Sequence, residues 1–183
     1  MNSKNYLITF AAFGALVALI GSGCGQNKTS APINSGGGNS ASSGLPSALP
    51  DNGFKALITL VDPPVKLRAG QKETIQVSVR NASDVLWYAR GAAVNTSPDN
   101  KFYIAVGDSW LKAADQTLVT NMDGRYGLNR DLKPGEQTQV PLLITAPKEP
   151  GDYILDIDLV QEQVAWFHDK GSPTAQTKIT VVR

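Results

Sequence analysis

An all-β fold is predicted for residues 51–183 by three features: hydrophobic alternation of period two, turn signals at regular intervals, and the lack of any helical period capped at both ends. The specific expectation is an antiparallel, immunoglobulin-like β-sandwich of seven to nine strands. In chain order, Ile75, Val77 and Val79 alternate with Gln76, Ser78 and Arg80, and Phe102, Ile104 and Val106 share one face. Val140, Leu142 and Ile144 form a third set. Tyr153, Leu155, Ile157 and Leu159 alternate with Asp156 and Asp158, and Thr177, Ile179 and Val181 close the chain. Such patterns mark strands with one face on a core and one toward water. The turn signals between them are Ala69-Gly70, Asn81-Ala-Ser-Asp84, Met122-Asp-Gly124, Lys133-Pro-Gly135 and Glu149-Pro-Gly151, where glycine supplies positive φ and proline presets φ near −65°.

Two local details sharpen the sandwich. Pro150-Gly-Asp-Tyr153-Ile-Leu155 places a tyrosine just after a turn and an apolar residue two positions later. That is the layout of a tyrosine corner, whose hydroxyl ties back to upstream backbone. On this alignment Asp152 to Glu162 is the penultimate strand and Ala175 to Val182 the last, with Gln163 to Thr174 joining them. Trp87 falls roughly where a core tryptophan belongs.

Composition narrows the function classes. The chain has 183 residues, 17 basic against 16 acidic, so it lacks the basic excess of a nucleic-acid-binding module. Its single cysteine, Cys24, and single histidine, His168, exclude an intrachain disulfide and a zinc site built on several Cys and His ligands. No Gly-x-Ser-x-Gly elbow is present, and one imidazole is little for nucleophilic catalysis. Gly36-Gly-Gly38 is a linker and not a phosphate loop, because no Lys-Ser or Lys-Thr follows. Neither cofactor nor metal is expected.

Residues 1–23 carry one cation, Lys4, no acid, and an apolar run from Tyr6 to Ile20 that Gly21-Ser-Gly23 ends. This is shorter than the roughly 20 residues a spanning helix needs and fits a cleaved signal peptide. An uncleaved anchor and a buried apolar helix are the other readings of the same run. From Cys24 to Pro50 the composition turns to Gly, Ser, Asn, Ala and Pro, too polar to fold alone. A flexible tether of that length reaches about 25 to 30 Å. The chain therefore divides into a signal (1–23), a tether (24–50) and one folded domain (51–183).

Ile20-Gly-Ser-Gly-Cys24 resembles the lipobox of bacterial lipoproteins. The resemblance implies that Cys24 carries acyl chains that hold the mature protein at a membrane. It also implies an extracytoplasmic place in the cell envelope. The glycine after Cys24 points to the outer membrane where the host has one, otherwise to the outer face of the cytoplasmic membrane. From about Val77 to Val181 the chain is similar to an immunoglobulin-like module appended to bacterial glycosyltransferases, and distantly to the four-tryptophan domain of a selective-autophagy receptor. The likeness rests on Val77-Ser-Val-Arg-Asn81 with Trp87, on Val106 to Trp110, on Asp131-Leu-Lys-Pro-Gly-Glu136, and above all on the stretch from Ala146 to Phe167 with Gly171 behind it. It implies a non-catalytic binding or assembly module, with an envelope protein or polysaccharide as partner.

Two sets of residues are candidates for a site. Asp156, Asp158 and Glu162 project from one strand face, the two aspartates about 7 Å apart. They could act as a glycosidase acid pair or hold calcium, but the bland reading, a solvated outer face with carboxylates paired to neighbouring strands, is the expectation. Trp166 and Phe167 lie in the connection between the last two long strands, at the sandwich end used for recognition in antibody domains. Neighbours on an extended chain point opposite ways, so one of the two is a candidate platform for a sugar or peptide, with Trp87, Asn81, Ser83 and Asp84 nearby. The competing expectation, which we favour on sequence grounds, has Trp166 plugging the sandwich end and Phe167 packed beneath the tether or residues 91–101.

Overall fold

The computed structural model describes residues 46–90 and 100–183, with the side chains of 121–123 excepted. Cys24, the segment 1–23 and most of the tether 24–50 lie outside the described residues, as does 91–99. Among those described there are nine strands. They are β1 (Ala56–Val61), β2 (Lys66–Arg68), β3 (Lys72–Asn81), β4 (Ile104–Lys112), β5 (Leu118–Gly127), β6 (Gln137–Thr145), β7 (Gly151–Gln161), β8 (Ala165–Trp166) and β9 (Ala175–Val182). Single 3₁₀ turns occupy Asp51–Gly53 and His168–Lys170.

The strands form two stacked layers. One sheet has the order β1-β3-β6; the other runs β2-β9-β7-β4-β5, with β8 added beside β7. This is an immunoglobulin-like β-sandwich. All pairings are antiparallel except β2 with β9, which is parallel. The alternation read from the sequence lines the interior: Ile75, Val77 and Val79 of β3, Val140, Leu142 and Ile144 of β6, and Tyr153, Leu155, Ile157 and Leu159 of β7 are buried in one core. Each such side chain contributes about 1.5–3 kcal/mol by leaving water. Tyr153 closes the corner as its position demands, donating its hydroxyl to the carbonyl of Glu149 at 2.9 Å.

Two local expectations need correction. Phe102 does not share the face of Ile104 and Val106; it precedes β4 and takes a positive φ of 72°. Met122-Asp-Gly124 is no turn between strands but lies inside β5. There Gly107 pairs with Arg125 while Ser109 pairs with Asn121, so three residues of β5, 122–124, stand opposite the single Asp108 of β4 in a bulge. The Gly124 amide donates to Oδ1 of buried Asp108 at 2.9 Å, satisfying a donor that the bulge removes from the ladder. Trp87 lies in the core, as its position predicts, and forms an isolated bridge with Leu132 outside the named strands.

The end of the sandwich near the connection from β7 to β9 is sealed by rings. Phe167 packs edge-on against Phe54 and Trp87, with centroids 5.0 and 5.1 Å apart, and all three are buried. The Trp87 indole donates to the Gly53 carbonyl at 2.9 Å. Residues of the tether's final stretch also bind here. Buried Gln161 accepts the Leu49 amide at 2.9 Å and donates to the carbonyls of Ser47 and Phe102 at 2.8 and 2.9 Å.

Candidate functional site

The core residues of β7 leave Asp156, Asp158 and Val160 on the opposite, outer face of the sheet. On the adjoining β4, Gly107 lies directly across from Asp158 and Ser109 across from Asp156. The chain then leaves β7, turns, and lays β8 back beside Val160 and Gln161. This places Trp166 over the sheet and Phe167 beneath it, as alternation on an extended segment requires. The Trp166 ring rests on Gly107: a Cβ there would stand 2.9 Å from its Cη2 carbon. Glycine in mid-strand is the opening through which the indole approaches the backbone.

The result is a hollow of about 270 Å³ bounded by Gly107, Ser109, Asp156, Asp158, Trp166, His168 and Asp169. Asp158 is buried and heavily bonded: Oδ1 accepts the Leu159 amide at 2.7 Å, and Oδ2 meets His168 Nδ1 at 2.6 Å and accepts the His168 amide at 3.3 Å. His168 Nε2 lies 3.1 Å from Oδ1 of Asp169, so the imidazole stands between two carboxylates. Asp156 keeps one buried oxygen that accepts no hydrogen bond from the described protein atoms. Burial pushes the Asp158 carboxyl up from its ordinary range, against the restraining hydrogen bonds from His168 and Leu159. His168 is pushed up as well, chiefly by its hydrogen bond to Asp158. Both shifts keep a proton in the pair.

Glu162, one residue past β7, is a different environment. It is buried and receives Arg125 from β5, whose guanidinium nitrogen lies 2.7 and 3.0 Å from its two oxygens. The same guanidinium sits 5.3 Å from the Trp166 ring centre, flanking the indole on one side. Burial raises the Glu162 carboxyl and Arg125 counteracts it. The expected solvated acidic face is therefore corrected: Asp158 and Glu162 are buried, and β8 with the 3₁₀ turn covers what an ordinary outer face leaves open.

The aromatic assignment is reversed. Phe167 is the plug, fully buried against Phe54 and Trp87, and Trp166 is the partly exposed ring at the groove. Trp87 offers no surface. Asn81 is buried and saturated, donating to the carbonyls of Val85 and Leu132 and accepting both the amide and the hydroxyl of Ser83. It shapes its own loop. Asp84 is exposed and accepts from Asn52 at 2.9 Å, apart from the groove's lining. Gly107, Ser109, Asp169 and Arg125 are not candidates by sequence, and His168 stands out there only as the single imidazole, not as a groove residue. Gly107 carries a readable signal, an isolated glycine in a strand pattern; the others depend on which strands become neighbours. Among the described residues no group of three or more His, Cys, Asp or Glu side chains is arranged to hold a metal ion.

A second hollow, about 420 Å³, opens beside the tyrosine corner between Lys112, Val119, Ala146, Lys148 and Tyr153. It is larger but brings together no comparable set of acceptor, imidazole and indole, so the groove at Trp166 is the better candidate.

No family model matches the chain, and no curated protein matches it in sequence. Among solved structures, it is similar to the CARDB domain of a Pyrococcus furiosus protein, at 14% identity over 70% of this chain and 94% of that one, with a TM-score of 0.41. A crystal structure of the same domain with di-metal ions also has 14% identity and a TM-score of 0.41, over 70% of this chain and 91% of that chain. A sporulation control protein from Bacillus subtilis is 15% identical over 70% of this chain and 49% of its own, with a TM-score of 0.40. What the chain does has to be read from its own side chains.

Proposed function

We propose that this chain is a lipid-anchored protein of the bacterial cell envelope whose immunoglobulin-like sandwich is a non-catalytic binding module, and that the Trp166 groove takes a hydroxyl-rich ligand such as a surface polysaccharide. The observation that carries the reading is the placement of a partly exposed indole beside Asp156, Asp158 and Asp169. Carboxylates accept hydrogen bonds from sugar hydroxyls while the ring supplies apolar contact, the combination small-ligand sites use to fix orientation.

Glycoside hydrolysis fits the groove less well. The two carboxyl groups of a glycosidase flank the scissile bond, whereas Asp156 and Asp158 stand two apart on one strand and form one wall. Asp158 is also already engaged by His168.

Calorimetry on the full-length protein in detergent, titrated with purified envelope polysaccharides, tests the site. Binding that Trp166→Ala weakens about tenfold or more supports it, in line with the roughly 1.4 kcal/mol such a loss represents. No heat with any glycan, or an unaffected Trp166→Ala variant, removes it. The anchor has its own check: Cys24→Ala is expected to move the protein from the membrane pellet to the soluble fraction, because acyl chains supply about 0.8 kcal/mol per buried CH₂. An assembly role is the second reading, favoured by Leu118 and Val119, 53% and 39% exposed on β5 at the sheet's edge. Crosslinking in intact cells that traps a partner at β5 supports that alternative.

A further inference from the structure

His168 faces two carboxylates at once, with Nδ1 2.6 Å from Asp158 Oδ2 and Nε2 3.1 Å from Asp169 Oδ1. A neutral imidazole has one N–H and one lone pair, so it can donate to only one of them and must turn its lone pair on the other. The imidazolium donates to both. His168 stands on the 3₁₀ turn with Asp169, so its bond to Asp158 of β7 ties that turn, the groove's other wall, to a fixed strand; in the imidazolium this bond is charge-assisted, whereas the neutral ring has one N–H to divide between the two carboxylates.

We propose that His168 is a proton-operated latch on the groove: the imidazolium clamps its own turn, Asp169 included, against Asp158, and loss of the proton loosens that clamp and weakens ligand binding. The surroundings favour the charged ring. From β7 it faces Asp156 and Asp158, and from its own turn Asp169. Lys170 on the same turn is directed to Asp51, 2.9 Å away. From β8 the nearest group is the uncharged Trp166 ring, 6.4 Å between centroids, and β4 contributes only Gly107 and Ser109 to the lining. Arg125 of β5 is committed to Glu162. The His168 side chain is 54% exposed, so protons reach it from solvent. The gating rests on the groove being a ligand site; the latch itself does not.

His168 is the chain's one histidine, so a ¹⁵N-histidine label in the full-length protein reports it alone. The expected result is a midpoint above the ordinary value of about 6.5, with both ring nitrogens protonated below it. Asp158→Asn is expected to bring the midpoint down toward that value, and Asp169→Asn to lower it less. Emission of Trp166, with Trp166→Phe as blank, should follow the same midpoint and lose its pH response in His168→Gln. Polysaccharide affinity is expected to fall roughly fivefold or more across that midpoint. A midpoint at the ordinary value that ignores Asp158→Asn overturns the latch whatever binds. A normal latch with no glycan bound at any pH supports the latch and defeats the polysaccharide reading. Glycan binding that is flat across the His168 midpoint overturns the gating.

Discussion

Two glycines in the larger sheet have different reasons to be glycine, and the difference predicts different outcomes of the same substitution. At Gly124 an added Cβ would collide with the backbone carbonyl of Leu143 across the sandwich. Backbone in a packed sheet cannot step aside cheaply, so Gly124→Ala is expected to cost about 1–3 kcal/mol or more, measured as the loss in urea unfolding free energy. At Gly107 the added carbon meets the far end of the Trp166 ring, which can swing outward. Gly107→Ala is therefore expected to leave most of the stability in place while raising the exposure of Trp166, seen as a red shift in its emission. Equal losses in the two variants, with unchanged emission in Gly107→Ala, would contradict this account of the groove floor.

At the scale of elements, the long strands and the tyrosine corner follow from patterns visible in the chain, whereas the strand order, the ring that seals the sandwich end and the groove do not. Alternation identified β3, β6, β7 and β9, and Tyr153 identified its corner, because those signals are local: a side chain's face is fixed by parity and a turn by its own residues. Which of Trp166 and Phe167 faces inward depends instead on the register with which β8 returns along β7, where a shift of one residue exchanges the two. The contacts Arg125–Glu162 and His168–Asp158 likewise join residues 37 and 10 positions apart, through sheet order and a turn that no period encodes. The β5 bulge hid behind Met122-Asp-Gly124 because bulges and turns favour the same residue types. The observed register makes a paired prediction. Phe167→Ala empties the space between Phe54 and Trp87 and is expected to cost about 3–5 kcal/mol, whereas Trp166→Ala, from a partly exposed ring, should cost distinctly less in the same unfolding assay. The reverse order of losses would mean that β8 is read one residue out of register.

For the molecule as a whole, the titrating groups set where on the pH axis the fold is strongest. Asp158, Glu162 and His168 are all raised in the folded protein, the first two by burial and the third by its bond to Asp158. A group with a raised folded value holds its proton more tightly when folded, so stability falls as pH rises through the interval between the unfolded and folded values. For the two carboxyls that interval starts near 3.8 and 4.5, and for His168 near 6.5. Asp158 and His168 share a hydrogen bond, so their steps belong to the pair. Asp115 and Glu136 are lowered, chiefly by the Thr117 and Lys133 amides respectively, and act in the opposite sense below their ordinary range; both lie at the surface and are screened by solvent. These directions place the stability maximum on the acid side of neutrality, with a decline from pH 5 to pH 8. Thermal unfolding in low salt should show the melting temperature falling by a few degrees over that span. His168→Gln should remove the upper part of the decline, above about pH 6, and leave the lower part, which belongs to buried carboxyls. A melting temperature that climbs from pH 5 to 8 would mean that Asp158 and Glu162 are ionised at less cost than their burial implies, and that the clamp on the groove is held by something other than a proton.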